Sequence, residues 1–204
     1  MDTTLKLFAE HITKQFAHIP NDRKEKLTSL VNYVREKHQL KEDISLVFIC
    51  THNSRRSHFG QLLSALAAEH YQIPEIHTFS AGTEETAFHP NAIEALKTIG
   101  FKVEQLDQST NPHYRVNVSE SVHSDCFSKS ISHESLPKNQ FAAIMTCSDA
   151  EQNCPFVPGA EKRIGITYED PKASDGTELQ SAKYLERATQ IATELFYVFS
   201  QLNK

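Results

Sequence analysis

Apolar positions along the chain recur with two different periods, and the switches between them predict the order of its elements. Leu27, Leu30, Val31 and Val34 fall at i, i+3, i+4 and i+7, the spacing of one helical face, and Asn21 or Asp22 after Pro20 offers an N-cap. Leu7, Phe8, Ile12 and Phe16 mark a weaker helix ahead of it. At Ile44 the pattern becomes a nearly unbroken β-rich run, Ile44-Ser45-Leu46-Val47-Phe48-Ile49, which suits a central parallel strand buried on both faces. Helical spacing returns at Phe59, Leu62, Leu63 and Leu66 and predicts a helix over 57–70. Residues 75–80 read as a second strand closed by Ala81-Gly82, and His89-Pro90-Asn91 opens a helix carrying Ile93, Leu96 and Lys97 that stops at Gly100. Residues 141–146 and 162–167 read as two further strands. Leu185, Ala188, Ile191, Ala192, Leu195, Phe199 and Leu202 then share one face of a long closing helix.

Strands alternating with helices predict an α/β three-layer sandwich around a four-stranded parallel sheet, joined by right-handed crossovers. Two segments fall outside that rhythm. Residues 1–43 read as an N-terminal helical extension ahead of a domain over 44–204, and about 106–140 reads as an insert. Within the insert, residues 114–118 and 126–130 alternate like strands around a polar turn, which predicts an inserted β-hairpin. Extension and insert read first as cover for apolar surface, with a partner or dimer surface as the alternative.

Composition narrows the function classes. The net charge is −5 without a block of like charges, so the basic stripe of a nucleic-acid surface is missing. No apolar run is long enough to span a membrane, and the first twenty residues lack the apolar core of a signal peptide, which leads us to expect a cytoplasmic protein. The four cysteines form no Cys-x-x-Cys pair and the eleven histidines are scattered, so no metal site is expected. In a reducing compartment such cysteines are either inert core residues or chemical ones.

Cys50 belongs to the second kind. It directly follows the predicted central strand, at the carboxyl edge of the sheet where open α/β folds bind ligands. The chain then turns into a helix, so the backbone N–H groups of Thr51, His52, Asn53, Ser54, Arg55, Arg56 and Ser57 face one small volume, an arrangement that captures an oxyanion and favours a thiolate. Arg56, six positions after Cys50, can fork two hydrogen bonds to a tetrahedral oxyanion. Ser57 can donate to the thiolate, and Asn53 is suited to hold the loop. The segment lacks the Gly-Lys-Ser/Thr of a nucleotide-binding loop. A buried cysteine before a polar helix start is the plain alternative.

The run Cys50-Thr51-His52-Asn53-Ser54-Arg55-Arg56-Ser57 resembles the signature loop of the low-molecular-weight tyrosine phosphatase superfamily. Ser80-Ala81-Gly82 and His89-Pro90-Asn91-Ala92-Ile93 resemble the same group, and Glu169-Asp170-Pro171 matches the Asp-Pro that carries its general acid. The likeness covers about 44–105 and 141–202, in order. It implies that Cys50 attacks the central atom of a tetrahedral oxyanion, that the loop amides and Arg56 hold the developing charge, and that Asp170 protonates the leaving oxygen. Ser80 would support the loop.

Cys147 and Cys154, seven residues apart and ahead of the Asp-Pro, resemble the relay pair of the thioredoxin-coupled arsenate reductases. That branch implies a covalent arsenic adduct on Cys50, attack on Cys50 by Cys147 with release of arsenite, and attack on Cys147 by Cys154. Thioredoxin then serves as external reductant and no cofactor is required. Without the resemblance, Cys147 reads as a buried strand-end residue and Cys154 as incidental. The other branch, hydrolysis of phosphomonoesters by a tyrosine phosphatase, needs aromatic side chains just after the Asp-Pro. Lys172-Ala173-Ser174 stand there, so Tyr168 or the hairpin would have to supply them. A third class, an oxyanion sensor without catalysis, has no need of Asp170. Arg55 occupies a position often held by Cys in both branches. Some of the reductases bind potassium through an Asn, a Ser and acidic residues. Asn53 and Ser80 match, but Gln61 stands where a Glu would be expected, so potassium is not carried over. Cys126, within the insert, reads as a bystander.

Overall fold

The computed structural model describes residues 1–154 and 156–202 of the 204-residue chain. In chain order the elements are α1 (Thr3–Thr13), α2 (Asn21–Leu40), β1 (Ile44–Cys50), α3 (Arg56–Tyr71), β2 (Ile76–Gly82), α4 (Pro90–Ile99), β3 (Lys102–Gln105), β4 (Tyr114–Asn117), β5 (His123–Cys126), β6 (Phe141–Met145), α5 (Ser148–Asn153), β7 (Ala160–Gly165) and α6 (Gln180–Ser200). Single 3-10 turns lie at Phe16–His18 and Pro171–Ser174.

Four parallel strands form the central sheet in the order β2-β1-β6-β7. Successive residues of β1 point to opposite faces and so enter different cores. Leu46 and Phe48 join the large core built with α1, α2, α3, α4 and α6, whereas Val47 and Ile49 join a smaller one containing Cys50, Cys147, Ala150 and Cys154. Five helices thus cover one face, and the other carries α5 and the chain leading into β6. The thinly covered face holds Cys50, Cys147 and Cys154, whereas Cys126 lies in the large core.

The α/β architecture and the four parallel strands agree with the sequence pattern, and several details differ. The insert is a three-stranded antiparallel sheet, because β3 pairs with β4 ahead of the expected hairpin. Its last strand is residues 123–126 and not 126–130, since the turn is shorter and Tyr114 pairs with Cys126. Residues 127–130 instead run beneath the Cys50 loop. In α1 the buried face is Leu5, Ala9 and Ile12, and Leu7 is 61% exposed. α2 begins at Asn21 with Pro20 as its N-cap residue, so neither Asn21 nor Asp22 caps it. β7 starts two residues earlier than expected, where Phe141 pairs with Ala160. No helix among the described residues is long and apolar enough to cross a membrane.

Candidate active site

β1 ends on Cys50 and α3 begins on Arg56, so residues 51–55 turn the chain through one tight loop. Asn53 is its hinge. It takes a left-handed backbone (φ 42°), a conformation that Asn tolerates better than most residues. Fully buried, Asn53 donates from Nδ2 to Ser57 Oγ (2.8 Å) and accepts the Lys129 N–H on Oδ1 (2.9 Å). Ser57 Oγ lies 3.1 Å from Cys50 Sγ. Because Asn53 fills an acceptor position of that hydroxyl, its single hydrogen is free to point at the sulfur. Ser54 Oγ donates to the Ala87 carbonyl (2.7 Å), and the His52 carbonyl accepts Ser128 Oγ (2.9 Å) and Thr86 Oγ1 (3.1 Å). Gly82 faces Cys50 across the β1–β2 register, and a Cβ there would lie 2.6 Å from the Asn53 nitrogen, so only glycine lets the loop settle on β2.

Arg56 leaves the first turn of α3 and donates to the Tyr168 carbonyl (3.0 Å) and to Asp170 Oδ2 (2.6 Å). Asp170 also accepts the Lys172 N–H on Oδ1 (3.0 Å), capping the 3-10 turn. Arg56 and Asp170 are therefore brought together at the edge of the sheet where β1 ends on Cys50, from two distant stretches of chain. Arg55 stays 4.0 Å from Asp170 through its Nε but makes its closer contacts elsewhere. Its Nε donates to the Tyr184 hydroxyl (2.7 Å), and its Nη2 lies 3.4 Å from Asp175, whose carboxylate also accepts Tyr184 (2.8 Å) and Asn91 (3.1 Å). Those two hydrogen bonds, Arg55 and His89 together hold Asp175 below the usual carboxylate range, against its partial burial. A pocket of about 320 Å³ beside the loop is lined by His52, Ser54, Arg55, Thr86, Ala87, His89, Pro90 and Lys172, with no Phe or Tyr. Tyr168 supplies no aromatic wall either: it is buried, with the Arg23 guanidinium 4.7 Å over its ring.

Cys147 caps α5, its sulfur accepting the Ala150 N–H (3.4 Å), and lies 3.5 Å from Thr51 Oγ1 of the loop. Thr51 Oγ1 also donates to Asp149 Oδ2 (2.8 Å), which ties the start of α5 to the loop. Cys154 closes the other end of α5, and its sulfur faces the Phe156 carbonyl at 3.6 Å. Arg163 clasps that end, donating to the carbonyls of Cys154 (3.0 Å) and Glu151. All four thiols are free, and burial pushes Cys126 up to about 12.

Potassium can be tested against these residues. Ser80 Oγ is engaged by His58 Nδ1 (3.1 Å), and the Ser80 carbonyl is approached by the Lys129 ammonium (3.4 Å). Gln61 Oε1 has no hydrogen-bond partner among the described residues, but it carries no charge. A second cation would enter beside a buried ammonium without a carboxylate to balance it, so the residues do not fit the ion. No group of three or more His, Cys, Asp or Glu side chains among the described residues is placed to hold a metal.

No protein-family model matches the chain. An arsenate reductase of Shouchella clausii is 29% identical over 133 residues, 65% of this chain and 78% of that protein. The arsenate reductase of Bacillus subtilis (strain 168) is 27% identical over 146 residues, 72% of this chain and 87% of its own. The chain is thus similar to arsenate reductases over 65% to 72% of its length. The fold agrees: a YwlE mutant from Bacillus subtilis superposes with TM-score 0.50 at 17% identity, covering 79% of this chain and 99% of that one. These likenesses support an enzyme of the arsenate reductase or phosphatase type. Ser128, Lys129 and Arg163 are supports that sequence reasoning passed over. Ser128 and Lys129 reach the loop across 76 residues, Arg163 holds carbonyls nine and twelve residues before it, and no local pattern marks them.

Proposed function

We propose that this protein reduces arsenate by a thiol relay. The observation that carries the reading is the placing of Cys147 against the oxyanion loop, 3.5 Å from Thr51 and in the same buried cluster as Cys50 and Cys154. The Cys50 thiolate attacks arsenic, and Asp170 gives a proton to the departing oxygen. Cys147 then attacks the Cys50 sulfur, and the electron pair of the S–As bond stays on arsenic, which leaves as arsenite. Cys154 attacks the Cys147 sulfur and frees Cys50 as a thiolate. Thioredoxin reduces the resulting Cys147–Cys154 disulfide.

The last exchange requires α5 to unwind. Seven residues of helix span about 10 Å at 1.5 Å per residue, whereas bonded cysteines hold their Cα atoms about 4.4–6.8 Å apart. Arg163 must release the carbonyls of Glu151 and Cys154 as this happens. The pocket beside the loop, without Phe or Tyr, suits a small inorganic oxyanion better than a phenyl ester.

Incubating the reduced protein with arsenate and mapping disulfides by peptide mass tests the relay. A Cys147–Cys154 bond, with turnover restored by thioredoxin, supports it. Rapid hydrolysis of an aryl phosphate that survives Cys147→Ser and Cys154→Ser would replace it with phosphomonoester hydrolysis. Oxyanion binding without turnover in either assay would leave a sensor.

A further inference from the structure

Lys129 has no part in the chemistry above, yet its side chain lies under the oxyanion loop and the residue is only 4% exposed. Its backbone is fastened twice, through its N–H to Asn53 Oδ1 (2.9 Å) and its carbonyl to the Gly82 N–H (2.8 Å). The ammonium then turns inward. It donates to the Phe127 carbonyl (3.1 Å), reaches the Ser80 carbonyl (3.4 Å) and stands 4.3 Å from the centre of the Phe127 ring. Every one of these partners is neutral. Burial draws the amine below 10.5, and the titratable groups facing it, His58 from α3 and Cys126 from β5, supply no counter-charge. Desolvation and the nearby ammonium oppose protonation of His58, and the Cys126 thiol is held up near 12. A buried cation without a carboxylate is destabilising unless some anion answers it. The group that the proposed function charges is Cys50, to which the Lys129 backbone N–H is linked through Asn53 and Ser57.

We propose that Lys129 is the oxyanion loop's resident cation, a positioning residue whose buried ammonium favours negative charge at Cys50 and makes the chain indifferent to potassium. This rests on Cys50 as an oxyanion-binding thiolate, and neither on arsenate as substrate nor on the relay.

Two readouts on the reduced full-length protein test it without turnover, so a failed relay and a failed cation role are separable. One is the affinity for inorganic phosphate by calorimetry; the other is the rate of Cys50 carbamidomethylation near pH 6, followed by peptide mass. Wild type is expected to give the same values in potassium chloride and choline chloride at equal ionic strength. Lys129→Met is expected to weaken phosphate and slow alkylation by about threefold to tenfold, while Lys129→Arg, which keeps the charge, stays within about twofold. A folded Lys129→Met protein that matches wild type overturns the proposal, as does a Lys129→Arg protein that behaves like Lys129→Met. If Lys129→Met does not fold, the wild-type comparison decides alone: a response to potassium refutes a resident cation, and indifference upholds it.

Discussion

Replacing Ser57 by Ala removes the one side-chain hydroxyl within hydrogen-bond reach of the Cys50 sulfur and little else. The contact is 3.1 Å, and the Asn53 amide donates to the same oxygen at 2.8 Å, so the hydroxyl hydrogen has nowhere better to go than the sulfur. Ser57 is fully buried, and water therefore cannot take its place without rearrangement. A hydrogen bond to a charged group contributes about 1.5–3 kcal/mol, and here that energy belongs to the thiolate and not to the thiol. At about 1.4 kcal/mol per factor of ten, losing that hydrogen bond is expected to slow alkylation of Cys50 near pH 6 roughly 10- to 100-fold. The assay is the rate of iodoacetamide alkylation at Cys50, quantified by peptide mass on the reduced protein. A folded Ser57→Ala protein alkylated near pH 6 at more than half the wild-type rate would refute the assignment of that hydrogen.

Arg163→Ala frees the carbonyl end of α5; amide exchange over 148–154 should accelerate by at least tenfold and the arsenate-driven Cys147–Cys154 disulfide should form faster, and unchanged exchange by mass spectrometry would show that Arg163 does not restrain the segment. Arg23 pairs its Nε and Nη2 with the buried Glu194 at 2.8 Å, so Arg23→Ala strands a carboxylate; about 3–5 kcal/mol and roughly 10 °C should be lost by calorimetry, and a loss under about 1 kcal/mol would contradict the pairing. Burial keeps folded His58 well below 6.5 while the unfolded chain takes up a proton there. Unfolding therefore binds a proton below about pH 6.5, and stability that is complete above it declines as pH falls, by up to about 1.4 kcal/mol per pH unit. His70 and His89 shift the same way but are more exposed and add less. Urea midpoints at pH 6.5 and 5.5 should differ more in wild type than in His58→Gln, and equal slopes would sink the assignment.

The candidate loop was legible because its signals are local. Strand, cysteine, polar turn and helix follow one another within about thirty residues, and apolar spacing marks both flanks. The insert was harder for a physical reason. β3 exposes most of its residues, and β5 buries only Cys126 among His123, Ser124 and Asp125, so neither strand carries an alternating signature. The alternation at 126–130 has another cause: Ser128 and Lys129 are buried because they brace the loop around Asn53, and Cys126 because it ends a strand. A lysine in the interior contradicts the binary pattern, and only the fold, which joins residue 129 to residues 53 and 80, accounts for it. In α1, a run containing Leu5, Leu7, Phe8 and Ile12 offered two faces, and packing against α6 selected the one with Leu5.

The 2.6 Å pair between Arg56 and Asp170 has a consequence for selectivity. In binding terms Asp170 is a tethered competitor, a carboxylate held beside the guanidinium at high effective concentration. Any arriving anion must displace it, and an anion that offers Arg56 no more than a carboxylate does gains nothing from the exchange. A tetrahedral oxyanion gains more, because its remaining oxygens meet the loop amides that Asp170 does not occupy. Displacement also frees the Asp170 carboxylate at the moment the reactant arrives. Under the proposed function the resting site would act as a threshold filter, insensitive to weakly bound anions and opened by those that fill the whole loop.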